Sequence, residues 1–204
     1  MKRQLVIIHG GDFFDTRAEF VEDLRKSEVS KDDFLFDGTM GWKDALADEL
    51  SGDGFEVFMP TMPNRLDAKY AEWKIWFERM VPFLHDGVVL VGHSLGGIFL
   101  ARYLSENDLG VRASAVFLVA APYFEKGTRK ANKAGFSVGN LARLGAQAER
   151  IFILHSKDDP IMPFVHAERY HRALPHSVFV QFKDRHHFIG GKFPEIMKMI
   201  RKVG

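Results

Sequence analysis

The 204-residue sequence contains no cysteine, and this absence removes several kinds of protein from consideration. Without cysteine the chain has no disulfide framework, no thiolate nucleophile and no zinc site with cysteine ligands. Charge of one sign is not in excess either, because 28 lysine and arginine residues face 27 aspartate and glutamate residues. A protein whose main partner is a phosphate backbone carries a clear positive excess, so we expect no nucleic-acid partner.

Long apolar stretches and cofactor signatures are also missing. No run approaches the roughly 18 residues of a membrane-spanning helix, and residues 1–3 lead into a strand-like run instead of a signal-peptide core. We therefore expect a cytoplasmic protein with no membrane span. No Gly-X-Gly-X-X-Gly or phosphate-loop sequence follows a strand, and the nine histidines lack metal-binding spacing. The sequence predicts no cofactor and no metal.

What the sequence does contain is an alternation of strand-like and helix-like segments. Strands are predicted for six short runs rich in β-branched and aromatic residues, at 5–8, 55–58, 88–91, 115–119, 151–154 and 178–180. Most are apolar at consecutive positions, which is typical of a parallel sheet covered on both faces. Helices are predicted for amphipathic segments at 42–50, 67–83, 97–105, 164–174 and 193–202, with Asp67 as an N-cap. The helix at 67–83 is expected to pack one aromatic face into the core: Tyr70, Trp73, Trp76, Phe77 and Met80.

This pattern predicts a single α/β domain over residues 1–204, a three-layer sandwich around a mainly parallel six-stranded sheet ordered 2-1-3-4-5-6. Two insertions interrupt it, at about 12–41 and 121–149, and both follow the carboxyl ends of strands. Open α/β sheets bind ligands at that edge, so the insertions are either pocket walls or solvated surface segments. Residues 12–56 hold 14 acidic and 5 basic residues. This concentration of acidic residues in one part of the chain has two interpretations. It favours contacts between subunits of a homo-oligomer, or it only makes two surfaces of the protein oppositely charged.

One motif carries the chemistry. Residues 88–101 combine a buried strand, the turn from Gly92 to Gly96 with sequence Gly-His-Ser-Leu-Gly, and an apolar helix. In this context Gly-X-Ser-X-Gly is typical of a nucleophile elbow, in which a strained turn lifts the serine hydroxyl above the sheet. The two glycines are needed where a side chain would collide with the adjacent strand and helix. Ser94 is the candidate nucleophile, or else an N-cap serine in a glycine-rich turn, and His93 is expected to pack beneath the turn.

A serine hydroxyl needs a base to accept its proton, and an acid to orient that base. Both residue types follow Ser94 in the required order. Asp158 and Asp159 come after the fifth strand, and His186 and His187 come after the sixth, on the same edge of the sheet. The residues alone leave each pair open, and an N-capping turn or a surface loop gives the same pattern.

A donor pair for the negative charge of a tetrahedral intermediate is also present. His9-Gly10-Gly11 ends the first strand, which lies beside the elbow strand in the predicted order. The N–H groups of Gly11 and Leu95 are therefore candidates for an oxyanion hole, at about 3 kcal/mol per donor. The alternative interpretation of His9-Gly10-Gly11 is a plain tight turn.

These segments together resemble the α/β-hydrolases, and among them the small serine hydrolases of the retinoblastoma-binding-protein-nine type. The resemblance covers most of residues 4–200 and is carried by His9-Gly10, 60–64 with Trp73, 92–97, 156–163 and His187-Phe188. It implies that Asp159 is the acid, because the family has its aspartate four residues before a proline. It likewise implies that His187, directly before phenylalanine, is the base. Relatives usually have glycine at the position of His186.

We therefore predict a cofactor-free serine hydrolase that cleaves small acyl esters through an acyl-enzyme. The alternatives are a non-catalytic protein-interaction module on the same fold, or a thioesterase, amidase or acyltransferase with the same triad. The acyl group is expected to be short unless residues 12–41 cover the pocket. Basic residues of the second insertion would favour anionic substrates if they rim the same mouth: Lys126, Arg129, Lys130, Lys133 and Arg143.

Overall fold

The fold is a doubly covered parallel sheet. The computed structural model describes residues 2–28, 41–126 and 134–203. Within these residues six strands pair in parallel in the order β2-β1-β3-β4-β5-β6. They are β1 Gln4–Ile8, β2 Glu56–Phe58, β3 Val89–His93, β4 Ala113–Val119, β5 Ala148–Ser156 and β6 Val178–Phe182. The predicted α/β class and strand order are confirmed.

Helices cover both faces of this sheet. In chain order they are α1 Arg17–Lys26, α2 Trp42–Gly52, α3 Tyr70–Met80, α4 Leu95–Glu106, α5 Ala142–Gln147, α6 Val165–Ala173 and α7 Pro194–Val203, with a 3₁₀ turn at Val81–Phe83. Along β1 the buried side chains alternate: Val6 and Ile8 pack on the face that carries α3 and α4, and Leu5 and Ile7 pack toward α2 and α7. This double burial explains why the strands lack polar alternation.

The first insertion contains a helix of its own. Thr16 caps α1 by accepting a hydrogen bond from the Glu19 N–H at 3.1 Å, and the Glu19 carboxylate accepts one from the Thr16 N–H in return. This reciprocal pair of bonds is a capping box, which stabilises the first turn of α1. The rest of that insertion, residues 29–40, lies outside the described residues, as do residues 127–133 of the second insertion with Arg129, Lys130 and Lys133.

Two local expectations are wrong. Asp67 does not cap α3, whose N-cap is Lys69, because the Asp67 carboxylate instead bonds the Phe14 N–H and the Lys69 ammonium. Trp76 leaves the aromatic face and is 48% exposed. The second insertion contains the short helix α5. In the described part of the chain, no helix is long and apolar enough to cross a membrane.

Candidate active site

The turn between β3 and α4 has the strained geometry of an elbow. Ser94 has φ of 52° and ψ of −120°, and the helix begins at the next residue. A Cβ at Gly92 would lie 2.4 Å from the Gly96 carbonyl oxygen, and one at Gly96 would lie 2.4 Å from the Ile8 carbonyl oxygen. The Ser94 N–H donates to the Val119 carbonyl on β4 at 2.8 Å. The turn therefore needs glycine on both sides of the serine, as the sequence predicts.

Ser94 is one end of a hydrogen-bonded chain that three loops bring together. Its hydroxyl lies 2.9 Å from Nε2 of His187, and Nδ1 of His187 lies 2.8 Å from Oδ2 of Asp159. The side chains of His187 and Asp159 are 7% and 0% exposed. With the Nδ1 proton donated to the carboxylate, Nε2 has a free lone pair directed at the serine hydroxyl. Such an arrangement can accept a proton from a nucleophilic serine.

Asp159 is held as a carboxylate in this buried position. Its Oδ1 accepts N–H bonds from Ile161 at 2.9 Å and from Met162 at 2.8 Å. Burial alone would raise the pKa of the Asp159 carboxyl, but the hydrogen bonds from His187 and from these two backbone groups outweigh it and lower that pKa. The acid is thus ionised and fixed in orientation before any substrate binds.

The neighbouring pair of candidates has a separate arrangement on the surface. Asp158 Oδ2 lies 2.9 Å from Nδ1 of the exposed His186, and its Oδ1 accepts the Ser156 hydroxyl proton at 2.5 Å. The structure therefore brings Asp159 and His187 to Ser94, while Asp158 and His186 contact each other. His186 has φ of 48°, a conformation that glycine adopts without the strain a side chain causes.

The predicted oxyanion donors lie at the junction of β1 and the elbow. A Cβ at Gly10 would lie 3.2 Å from Cβ of Ser94, so this backbone touches the serine. One at Gly11 would lie 2.4 Å from the Arg65 carbonyl oxygen, so only glycine fits beside that loop. Among the described residues the N–H groups of Gly11 and Leu95 have no hydrogen-bond acceptor. Both are therefore available to a ligand, and the Leu95 N–H also lies at the positive end of α4.

His9 stabilises the shape of this junction. Its Nδ1 lies 2.6 Å from the Gly10 carbonyl oxygen, and its Nε2 accepts the Met62 N–H at 2.8 Å. Burial is the main cause that lowers the pKa of His9, so the ring is neutral and joins the end of β1 to the 60–64 segment. Its ring also meets the edge of Trp73. Both ring nitrogens of His9 are thus occupied by backbone groups, and its role is to hold that backbone in position.

Two further side chains contact the loop that carries His187. The ring nitrogen Nε2 of the buried His93 lies 2.9 Å from the His187 carbonyl oxygen. The indole N–H of Trp42 donates to the next carbonyl oxygen, that of Phe188, at 2.7 Å. Burial of His93 agrees with the expectation that it packs beneath the turn. The role of Trp42 has no signal in the sequence, because it lies 146 residues from its partner.

The described residues contain no group of three or more histidine, aspartate or glutamate side chains that could hold a metal ion. Arg143, one of the basic residues expected at the mouth, lies elsewhere. Its guanidinium contacts Asp108 at 3.5 Å and the Glu106 carbonyl at 3.4 Å, at the end of α4 opposite Ser94. The basic-rim hypothesis is wrong for Arg143.

A strained serine where β3 meets α4, in a sheet ordered 2-1-3-4-5-6, defines an α/β-hydrolase fold. Comparison with known proteins agrees, because residues 38–192 match the family model described as serine hydrolase. The chain belongs to this serine hydrolase family. It is 28% identical to the YdeN protein of Bacillus subtilis (strain 168) over 129 residues, which is 62% of this chain and 67% of that protein.

Solved structures show the same fold at low sequence identity. The ydeN gene product from B. subtilis superimposes with a TM-score of 0.75 at 21% identity, over 98% of both chains. A bromoperoxidase from Bacillus anthracis gives 0.60 at 15% identity over 99% of this chain and 92% of that one. The thioesterase domain from the curacin biosynthetic pathway gives 0.63 at 10% identity, over 98% and 91%. The last two proteins differ in their named activities, and all three identities are low, so the likeness concerns the fold.

Proposed function

We propose that this serine hydrolase cleaves small acyl esters through an acyl-enzyme, with Ser94 as nucleophile, His187 as base and Asp159 as the acid that orients it. The observation that carries the proposal is the continuous chain of hydrogen bonds from the buried Asp159 carboxylate through His187 to the Ser94 hydroxyl. A retired site has no reason to keep all three residues in this alignment. The resemblance to the retinoblastoma-binding-protein-nine type is part of this proposal.

In the first half of the reaction Ser94 Oγ attacks the ester carbonyl carbon as its proton passes to Nε2 of His187. The negative charge moves to the carbonyl oxygen, where the N–H groups of Gly11 and Leu95 stabilise it. The intermediate collapses by breaking the bond to the alcohol oxygen, and this oxygen takes the proton from His187. Asp159 stabilises the imidazolium throughout and keeps the proton on Nδ1.

In the second half a water molecule repeats these steps on the acyl-enzyme. His187 takes a proton from the water while the hydroxide oxygen attacks the acyl carbon. The oxyanion again accepts hydrogen bonds from the N–H groups of Gly11 and Leu95. Collapse releases the carboxylic acid and returns the proton from His187 to Ser94 Oγ. Atoms and charges balance with water as the co-reactant, so no cofactor is required.

The candidate site for the acyl group is an open cavity of about 350 Å³ that is lined by Asp12, Phe13, Phe14, Asp15, Glu19 and Phe124. Asp12 follows Gly11 directly, and its carboxylate interacts with the charge of His187. The aromatic rings suit a short hydrocarbon chain. The carboxylates make this cavity unfavourable for an anionic substrate, in contrast to the expectation from the second insertion.

Hydrolysis of aryl esters by Ser94→Ala and by the control Ser114→Ala tests the proposal. Ser114 is a buried serine whose hydroxyl donates to the Gly87 carbonyl, at the opposite end of the sheet. We expect at least a 10²-fold loss for Ser94→Ala and little change for Ser114→Ala, with unchanged folding by circular dichroism. Retained turnover in Ser94→Ala contradicts the assignment.

The acyl preference is a separate measurement on the wild-type protein. We expect rates on esters of two- and four-carbon acids to exceed those on eight- and twelve-carbon acids. We also expect a terminal carboxylate on the acyl chain to slow turnover, because the cavity carries acidic side chains. Fastest turnover of the twelve-carbon ester contradicts a small acyl site. A faster reaction with the terminal carboxylate contradicts the electrostatic argument.

A further inference from the structure

The loop that carries His187, residues 185–188, does not hold its shape through favourable backbone geometry. His186 and Phe188 on either side of His187 have φ of 48° and 53°, the left-handed region that non-glycine residues seldom adopt. A Phe188 N–H bond to the Arg185 carbonyl at 2.8 Å closes the turn. Strained conformations persist only where surrounding contacts determine them, so the groups that hold this loop matter to where the imidazole lies.

His93 provides one of these contacts from the elbow itself. Its Nε2 is 2.9 Å from the His187 carbonyl oxygen, and because a carbonyl only accepts, the His93 ring carries its proton on Nε2. The two rings lie 5.1 Å apart between centroids. His93, the residue before Ser94, is thus hydrogen-bonded to the backbone of His187. This bond links the elbow directly to the loop that carries the base.

Trp42 provides the second contact, from α2. Its indole N–H donates to the Phe188 carbonyl oxygen at 2.7 Å. The same ring meets His93 edge-on, with centroids 5.7 Å apart and planes at 86°. Trp42 and His93 are 2% and 6% exposed. The consecutive carbonyls of His187 and Phe188 therefore accept N–H bonds from two side chains, and these two side chains also pack against each other.

The chemistry of His93 points beyond simple packing. Among the described residues its Nδ1 is buried and has no hydrogen-bond partner. An unpaired buried nitrogen costs about 1–3 kcal/mol, which an apolar side chain of similar size would avoid. Burial, with the positive charge of Lys43, lowers the pKa of His93 to about 3. The ring is neutral near neutral pH and adds no positive charge next to His187.

We propose that His93 and Trp42 are positioning residues for His187, and that their N–H bonds to the two adjacent carbonyls hold its imidazole at hydrogen-bonding distance from Ser94. The inference rests on the proposed function. A shift of about 1 Å in a reacting group is enough to cost about 10²-fold in rate. Loss of either donor should therefore lower kcat, while KM stays nearly unchanged because neither side chain lies in the proposed acyl cavity.

Three substitutions at His93 test the role of its Nε2 proton. The amide nitrogen of glutamine lies near the position of histidine Nε2, whereas that of asparagine lies near Nδ1. We expect His93→Leu and His93→Asn to lower kcat by about 10- to 100-fold, and His93→Gln to stay within about threefold of wild type. A His93→Leu enzyme with wild-type kcat overturns the proposal. So does His93→Gln with the same loss as His93→Asn.

Trp42→Phe and Tyr170→Phe form a matched pair for the second donor. Both side chains are buried, and the Tyr170 hydroxyl donates to the Pro122 carbonyl at 2.9 Å, so each substitution removes one buried donor to a backbone carbonyl. Only Trp42 bonds to the loop that carries His187. We expect kcat to fall about tenfold in Trp42→Phe and to change little in Tyr170→Phe. Equal losses in the two variants would show that the effect is general packing.

The imidazole geometry can also be followed without turnover. The proton on Nδ1 of His187 is hydrogen-bonded to Asp159 and gives a downfield nuclear magnetic resonance signal. We expect this signal in wild type and in His93→Gln, and its shift or broadening in His93→Leu. An unchanged signal in His93→Leu overturns the positioning role. If the signal is present in wild type and altered in His93→Leu, but wild type hydrolyses no ester, the proposed function is contradicted and the positioning role stays supported.

Discussion

Replacing Asp159 by asparagine tests the roles of acid and base with almost no change in shape. Oδ1 of Asp159 accepts two backbone N–H bonds, from Ile161 and Met162. Asparagine has only one oxygen, and these two donors keep it on their side. The amide NH₂ must then face Nδ1 of His187, which has to give up its proton and accept one. The imidazole proton moves to Nε2. Because Nε2 is then protonated, it can no longer accept the proton of Ser94.

The expected loss follows from that change of tautomer. We expect kcat to fall about 10⁴-fold, which is about 5 kcal/mol in the activation barrier. KM should stay close to wild type, because Asp159 is fully buried and cannot touch substrate. The assay is steady-state hydrolysis of an aryl ester of a two-carbon acid, with thermal unfolding recorded in parallel to show that the variant folds.

Asp158→Asn is the matched control for this experiment. Asp158 precedes Asp159 in the chain, and its Oδ1 accepts the Ser156 hydroxyl and the His186 N–H, while its Oδ2 faces the exposed His186 ring. Asparagine keeps the Oδ1 acceptor and removes only the exposed ion pair, which contributes little, so kcat should change by less than about threefold. Asp159→Asn with kcat within tenfold of wild type would refute the reasoning. A larger loss in Asp158→Asn than in Asp159→Asn would refute it too.

Three further predictions concern stability and backbone geometry. The pKa of His93 is about 3 in the folded protein and about 6.5 in an unfolded chain, so the unfolded state takes up a proton first as pH falls. In urea titrations between pH 8 and pH 5, the unfolding free energy of wild type should fall by about 2 kcal/mol more than that of His93→Gln. If the unfolding free energies of the two proteins change in parallel with pH, the buried neutral ring is contradicted. His186→Gly should raise unfolding free energy by up to about 1 kcal/mol and keep activity, because glycine adopts φ of 48° without strain, whereas a large loss of kcat would assign His186 a direct role. Gly96→Ala should cost about 3 kcal/mol of stability, since its Cβ would lie 2.4 Å from the Ile8 carbonyl oxygen, and a normal melting temperature would refute the close packing at the elbow.

The sequence is most informative where local pattern and chemistry coincide. Consecutive apolar residues in strands such as β3 predict the buried parallel sheet, because burial on both faces leaves no polar alternation. The elbow at Ser94 is predictable because strand, glycine-flanked serine and helix follow one another directly in the sequence, although the Cβ that Gly96 excludes would meet Ile8 on the distant strand β1. Choosing between adjacent candidates such as Asp158 and Asp159 is harder, since residue types alone do not show which side chain faces the serine.

Contacts between distant segments leave no comparable signal. The Trp42 bond to Phe188 joins residues 146 apart, and nothing around either residue indicates it. Asp67 has the residue type and position of an N-cap, yet it pairs with Lys69 and the Phe14 backbone because the first insertion folds back onto this loop. Tertiary contacts decide such cases, and local preference is overridden.

The central claim, that Ser94 is an activated nucleophile, is tested most directly by covalent labelling with a fluorophosphonate. The reagent reacts with serine hydroxyls that a nearby base activates, and peptide mass spectrometry locates the adduct. We predict one adduct per chain on Ser94 in wild type, and none on that peptide in Ser94→Ala. An unlabelled wild-type protein that is folded, or an adduct on another serine, would contradict the claim.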